Sequence, residues 1–142
     1  MTRITLEQRI AASPAAVYAY LTDAEKWRSW QGERAEITAE PGGIFSMVMG
    51  NGMNARGQFV SLEPDRLVSF TWGWVDQPGI PPGWTLVEIA LESIEEGTLG
   101  RVTHSSGSPD EAPMQEMRWR HYLPRLAIAA SGRDPGPDPG PG

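Results

Sequence analysis

Few side chains in this sequence of 142 residues are of a type that does chemistry. Cysteine is absent, which excludes disulfides, thiolate metal sites and a cysteine nucleophile. The two histidines are His104 and His121. His104 shares a strand face with Val102, two positions away, and that face should point inward. An inward histidine is either a hydrogen-bonded core residue or a ligand-binding or catalytic group, and both readings stay open. His121 falls near the outward side of the last helical segment. No carboxylate sits convincingly between the two, and their spacing is not that of a metal site, so no metal is expected. Glu88 and Arg56 lie mid-strand and alternate onto the solvent side. There is no G-x-S-x-G elbow, no H-E-x-x-H, no Walker loop and no G-x-G-x-x-G. Neither a catalytic residue nor a cofactor can be named from motifs, and the balance leans away from an enzyme.

The aromatic residues are more informative. The stretch FTWGWVDQPGIPPGWTLVEIAL, Phe70 to Leu91, places three of the six tryptophans, Trp72, Trp74 and Trp84, around one proline-rich loop. Trp72 and Trp74 are two residues apart and share a face on a strand, together with Val68 and Phe70. Rings this large are either ordinary core or the wall of a cavity.

The elements that position these residues follow from periodicity and turn signals. Ile4, Leu6 and Ile10 begin a strand. SPAAVYAYL opens a helix with Ser13 as cap and Pro14 at the first helical position, where a missing N–H costs nothing. TDAEKWRSW predicts a second short helix, with Thr22 and Glu25 at capping-box spacing. Residues 33 to 106 alternate strands with turns at Pro41-Gly42-Gly43, Gly50-Asn51-Gly52, Pro64-Asp65, Pro78 to Gly83 and Glu96-Gly97. Short successive connections make these six strands antiparallel. PMQEMRWRHYLPRLAIAA returns to helix and gathers Trp119, Tyr122, Leu123, Leu126 and Ala130 into one stripe, with Pro124 on the far side. The expectation is α+β: a seven-stranded antiparallel sheet, two short helices after the first strand and one long C-terminal helix. Residues 1–131 form a single domain, and the Pro/Gly tail 132–142 carries nothing to bury and is expected to be disordered.

Charge narrows the partners. A formal net charge of -6 with no basic stripe argues against nucleic acid and anionic membrane surfaces. MTRITLEQRI lacks the apolar run of a secretory signal, and no stretch approaches a membrane span, so a cytoplasmic protein is expected. The strand edges leave room for a homodimer.

In order and spacing the segments SPAAVYAYLTDAEKWRSWQG, PGGIFSMVMGNGMNARGQFVSLEPDRLVSFTWGW, PPGWTLVEIALESIEEGTLGRVTHSSGSP and RWRHYLPRL resemble the START-like (SRPBCC) superfamily. Within it the chain is similar to the activator of heat-shock-protein ATPase homologue (AHSA) family, from about Ile4 to Ala130. The resemblance implies a helix-grip fold, a curved sheet around the long helix with a largely apolar cavity between them. On that arrangement the cavity wall is expected at Phe45, Met47, Phe59, Phe70, Trp72, Trp119 and Leu123, with His104 as the main polar group. Three segments depart from the family pattern: Trp30-Gln31-Gly32, where relatives have two adjacent tryptophans; the polar run Ser105 to Pro109; and Arg118, where relatives have glycine.

The leading functional expectation is a binding domain holding a small apolar or aromatic molecule. Two alternatives from other classes are a cavity enzyme of cyclase or aromatase type, and an interaction domain that modulates a chaperone ATPase. An enzyme needs converging acid and base groups, of which the sequence shows one histidine without an obvious partner.

Overall fold

In the computed structural model, residues 2–49, 52–75, 85–106 and 109–137 are described. β1 (Thr2–Ile10) is followed by α1 (Pro14–Tyr20) and α2 (Ala24–Trp27). Six strands come next: β2 (Arg34–Ile37), β3 (Ile44–Val48), β4 (Asn54–Glu63), β5 (Leu67–Trp74), β6 (Thr85–Ile94) and β7 (Gly97–Ser106). A short 3-10 turn at Pro109–Glu111 leads into α3 (Ala112–Ala130). The strands form one antiparallel sheet in the order β1-β7-β6-β5-β4-β3-β2, which leaves β1 and β2 at its ends. This is the seven-stranded helix-grip arrangement that the strand rhythm and the resemblance predict. No described helix is long and apolar enough to cross a membrane.

Local signals explain the helix starts, with one correction. The Ser13 hydroxyl accepts from the Ala16 N–H at 3.2 Å, and Pro14 occupies the first turn of α1, as the sequence predicts. The cap of α2 is Asp23, not Thr22: the Asp23 carboxylate accepts from Lys26 N–H at 3.1 Å. Thr22 is drawn back to α1 instead, where its hydroxyl donates to the Tyr18 carbonyl at 2.9 Å. A hydroxyl can satisfy itself on the carbonyl four residues back, whereas a carboxylate can only accept, so the adjacent Asp takes the cap.

The sheet curves because of a bulge. Phe59 faces Phe70, but Ser61 faces Ser69, so Val60 is an extra residue in β4. A bulge bends its strand and increases the local twist. Close by, Gly57 permits an unusually tight approach of β4 to β5. The Thr71 hydroxyl stands in for a ladder acceptor by taking the Gln58 N–H at 2.9 Å. A Cβ at Gly57 would run into the Thr71 carbonyl and lie 2.8 Å from that hydroxyl oxygen.

The concave face is filled from three sides. β5 turns Val68, Phe70, Trp72 and Trp74 inward, and α3 covers them with the stripe Trp119, Tyr122, Leu123, Leu126 and Ala130, all buried. Pro124 is on the exposed side of α3. The third contribution is α2 with the turn after it, which insert Trp27 and Trp30, both wholly buried. The Trp27 ring lies 4.9 Å from Phe45 and 5.6 Å from Phe70, while Phe45 and Phe70 stack at 4.6 Å. Beyond α3, Arg125 donates to the carbonyls of Trp30 (3.0 Å), Pro135 (3.1 Å), Gly136 (2.7 Å) and Pro137 (3.4 Å). The start of the Pro/Gly tail is thus tied to the helix, and residues 138–142 lie outside the described ones.

Gly57→Ala should lower the unfolding free energy by about 1–3 kcal/mol, because the strands must separate to admit the methyl group. Gly100→Ala, also mid-strand, should stay within about 0.5 kcal/mol, since its Cβ would meet nothing nearer than 3.7 Å. Urea denaturation of the two variants checks this, and equal losses would refute the close-approach argument.

Candidate functional site

One end of the space between sheet and helix remains open. β5 contributes Trp72 and Trp74, β7 contributes His104, and α3 contributes Gln115, Arg118, Trp119 and Tyr122. Gln31, just after α2, closes the floor, and Glu111 and Met114 stand at the N-terminal end of α3. Together they surround a void of about 40 Å³, room for roughly three water molecules.

Position along each element accounts for the set. Trp72 and Trp74 are i, i+2 on β5 and point the same way; their rings meet edge-on at 5.5 Å. Gln115 lies three and four residues before the adjacent Arg118 and Trp119, and Tyr122 four and three after them, so the set falls on one face of α3. His104 lies between, opposite Val87 on β6.

The hydrogen bonds around His104 fix its chemical state. The Trp119 indole N–H donates to His104 Nδ1 at 3.0 Å. Indole has no acceptor, so Nδ1 carries no proton and the hydrogen is on Nε2. Nε2 lies 2.9 Å from Thr85 Oγ1 and therefore donates to it, and Thr85 passes its own hydrogen to the Trp72 carbonyl at 2.7 Å. Donors and acceptors alternate without a gap from α3 through β7 and β6 to β5. Burial, helped by the nearby Arg118 charge, lowers the His104 pKa to about 4. The imidazole is neutral, and both of its nitrogens are engaged within the protein.

The other polar groups are placed differently. Gln31 accepts from the Trp27 indole N–H at 2.9 Å. Gln115 donates to the Glu111 carboxylate at 3.4 Å. The Arg118 guanidinium stacks on Trp74, 4.5 Å from the ring centre, and burial lowers its pKa. Among the described residues no group of His, Asp and Glu is arranged to hold a metal ion.

Of the residues expected at a cavity wall, Trp72, His104 and Trp119 come together around this void. Phe45, Met47, Phe59 and Phe70 lie deeper, at most 2% exposed, and Trp27 packs against Phe45 and Phe70. Leu123 is buried on the same helix stripe but outside the lining. Trp74 joins the wall, and Trp84 lies outside the described residues. Expectation had not placed Gln31, Glu111, Met114, Gln115 or Tyr122 on the wall. Gln31 and Arg118 carried a signal, since both mark departures from the family pattern. Gln115 carried another, one helical turn before Trp119.

A neutral buried histidine makes stability depend on pH. The unfolded chain takes up a proton near pH 6.5 and the folded one only near pH 4. Acid therefore favours unfolding, and the contribution is whole above about pH 6.5 and lost between there and about pH 4, in all about 3 kcal/mol. His104→Gln should flatten that part of the stability–pH curve relative to the unsubstituted protein. Parallel curves from pH 4 to pH 7 would show that His104 is not the titrating group.

Comparison with known proteins places this geometry. Residues 11–130 match the family model described as Activator of Hsp90 ATPase homolog 1-like protein. The chain is 30% identical over 76 residues to the mouse activator of 90 kDa heat shock protein ATPase homolog 1, a match covering 54% of this chain and 22% of the mouse protein. Among solved structures, the AHSA1-like protein of Rhizobium etli superposes with a TM-score of 0.75 at 41% identity, over 97% of this chain and 87% of that one. DynU16, a protein in the dynemicin biosynthetic locus, superposes with a TM-score of 0.81 at 20% identity, over 94% of this chain and 48% of that one, a likeness of fold. With its START-like helix-grip fold and a family match running from the end of β1 to the end of α3, the chain belongs to the Activator of Hsp90 ATPase homolog 1-like protein family.

Proposed function

We propose that the domain binds a small, flat apolar or aromatic molecule in the void between β5, β7 and α3. One observation carries this reading: three indoles from two elements, Trp72, Trp74 and Trp119, converge on a space that the rest of the core leaves unfilled. Aromatic rings prefer edge-to-face or offset contacts at 4.5–7 Å between centres, and a single-ring ligand can take up such contacts here. The resting void of about 40 Å³ is smaller than a benzene ring, so entry requires a side chain to move. Met114 suits that role. It is 48% exposed, unbranched and at the rim, and methionine adapts to irregular space at little cost.

The observations favour binding over chemistry. A general base must reach its substrate with a free lone pair, and His104 has committed Nδ1 to Trp119 and Nε2 to Thr85. Glu111 is held by Gln115. The cyclase or aromatase alternative therefore lacks an acid–base pair at the void. The chaperone alternative draws on the family description and on the mouse relative, of which this chain matches 22%. A second copy of the chain is the protein partner we propose, through the outer edge of β1, which has a strand neighbour on one side alone. Sedimentation equilibrium should then show a dimer at micromolar concentrations, and a monomer throughout would dismiss it.

Tryptophan fluorescence titrated with benzyl alcohol, indole and short acyl alcohols tests the binding reading. Trp72→Phe and Trp119→Phe should weaken binding about tenfold or more. Phe59→Leu, buried away from the void, should leave it unchanged at a similar loss of stability. If none of these compounds perturbs the spectrum at millimolar concentration, the rings are core and the reading fails.

A further inference from the structure

The charge balance of the void has one feature the binding reading does not use. Arg118 lines it, with its guanidinium carbon 4.5 Å over the centre of the Trp74 ring. A guanidinium carries five N–H donors in a rigid fork. Among the described residues, no carboxylate lies within ion-pair distance of that fork and no acceptor completes a hydrogen bond with it. The other basic side chains that approach carboxylates do so on the surface, as Arg101 does with Glu7 and Arg120 with Glu116. Among the described residues Arg118 is the exception: half-buried, beside a cavity and in none of the ion pairs.

We propose that Arg118 recognises a carboxylate on the ligand, so that the void takes an aryl or short acyl monocarboxylate with its apolar end against Trp72 and Trp119. This rests on the void being the binding site. Three features of the lining support the ligand class. A guanidinium matches a carboxylate with two parallel hydrogen bonds, and such charge-assisted pairs are roughly twice as strong as neutral ones. Partial burial disfavours the charged guanidinium, and a bound anion would restore what burial removes. His104 is neutral and both its nitrogens are spent, so it does not compete for the acid. The remaining acid of the lining, Glu111, is engaged by Gln115. Its negative charge restricts the ligand to a single carboxylate, since a dianion would meet repulsion at the rim.

Matched acids and amides separate this inference from the binding reading. Titration with benzoate and benzamide, and with phenylacetate and phenylacetamide, compares ligands of nearly equal shape that differ in charge. The unsubstituted protein should prefer each acid by about 10- to 100-fold, and the preference should shrink in high salt. Arg118→Met should abolish the preference while still binding the amides, and Arg118→Lys, which keeps the charge and loses the fork, should fall between. Thermal melts of both variants confirm that they are folded. Equal binding of acid and amide by the unsubstituted protein, or an acid preference that survives in Arg118→Met, overturns the inference and leaves the void a binding site. Failure of every acid and every amide to bind overturns both.

Discussion

The packing of Trp27 is the constraint on which the rest of the structure depends. A helix of four residues would not persist alone, yet α2 ends on Trp27, and Trp30 follows three residues later, both wholly buried. Trp27 touches Trp30, Phe45 and Phe70 at ring separations of 5.0, 4.9 and 5.6 Å, and so joins β3 and β5 to the segment before β2. Aromatic contacts of this kind add about 0.5–1.5 kcal/mol each beyond the area they bury. The wedge fills the middle of the concave face. Among the described residues the end beyond it stays open, and there Gln31, fixed by its bond to Trp27, becomes the floor of the void. The position of the cavity follows from where α2 stops.

Polar economy decides what that cavity can do. Buried polar groups must find partners, and the Trp119–His104–Thr85–Trp72 series satisfies four elements at once with donors and acceptors in strict alternation. A histidine in such a series is a cross-link between sheet and helix. Chemistry at this imidazole would require breaking two hydrogen bonds in a buried place. The arrangement leaves recognition to groups held less tightly, of which Arg118 is the clearest.

Much of the fold was legible in the sequence, because it rests on local rules. Alternation placed Val68, Phe70, Trp72 and Trp74 on the inner face of β5, and a period of 3.6 placed Trp119, Tyr122, Leu123, Leu126 and Ala130 on the inner face of α3. The same two periods brought Trp72, His104 and Trp119 to one place. What alternation does not encode is volume. Phe45, Met47, Phe59 and Phe70 point inward as the pattern requires, but whether an inward ring faces a void or another ring depends on Trp27, and a single helical turn is too short for periodicity to show which way its tryptophan points. The cap of α2 escaped for a related reason: Thr22 and Asp23 are adjacent candidates, and the choice depends on a carbonyl of the preceding helix. Gln31, Gln115 and Arg118 are polar residues at the end of a core stripe, where pattern reading expects solvent.

The Arg125 contacts carry a wider lesson about chain ends. Proline offers a carbonyl and no N–H, and its fixed φ means that little freedom is lost when it is held in place. Guanidinium offers donors and no acceptor. The two are complementary halves of one hydrogen-bonding vocabulary, and in Asp134-Pro135-Gly136-Pro137 the prolines bring no donor while the Gly136 N–H is taken by the Asp134 carboxylate at 2.8 Å. The composition that marks a tail as unable to build a core is therefore also one that a lone arginine can fasten. In this protein that arginine grips the Trp30 carbonyl as well, so residues 135–137 and the aromatic wedge beneath the cavity hang from the same side chain.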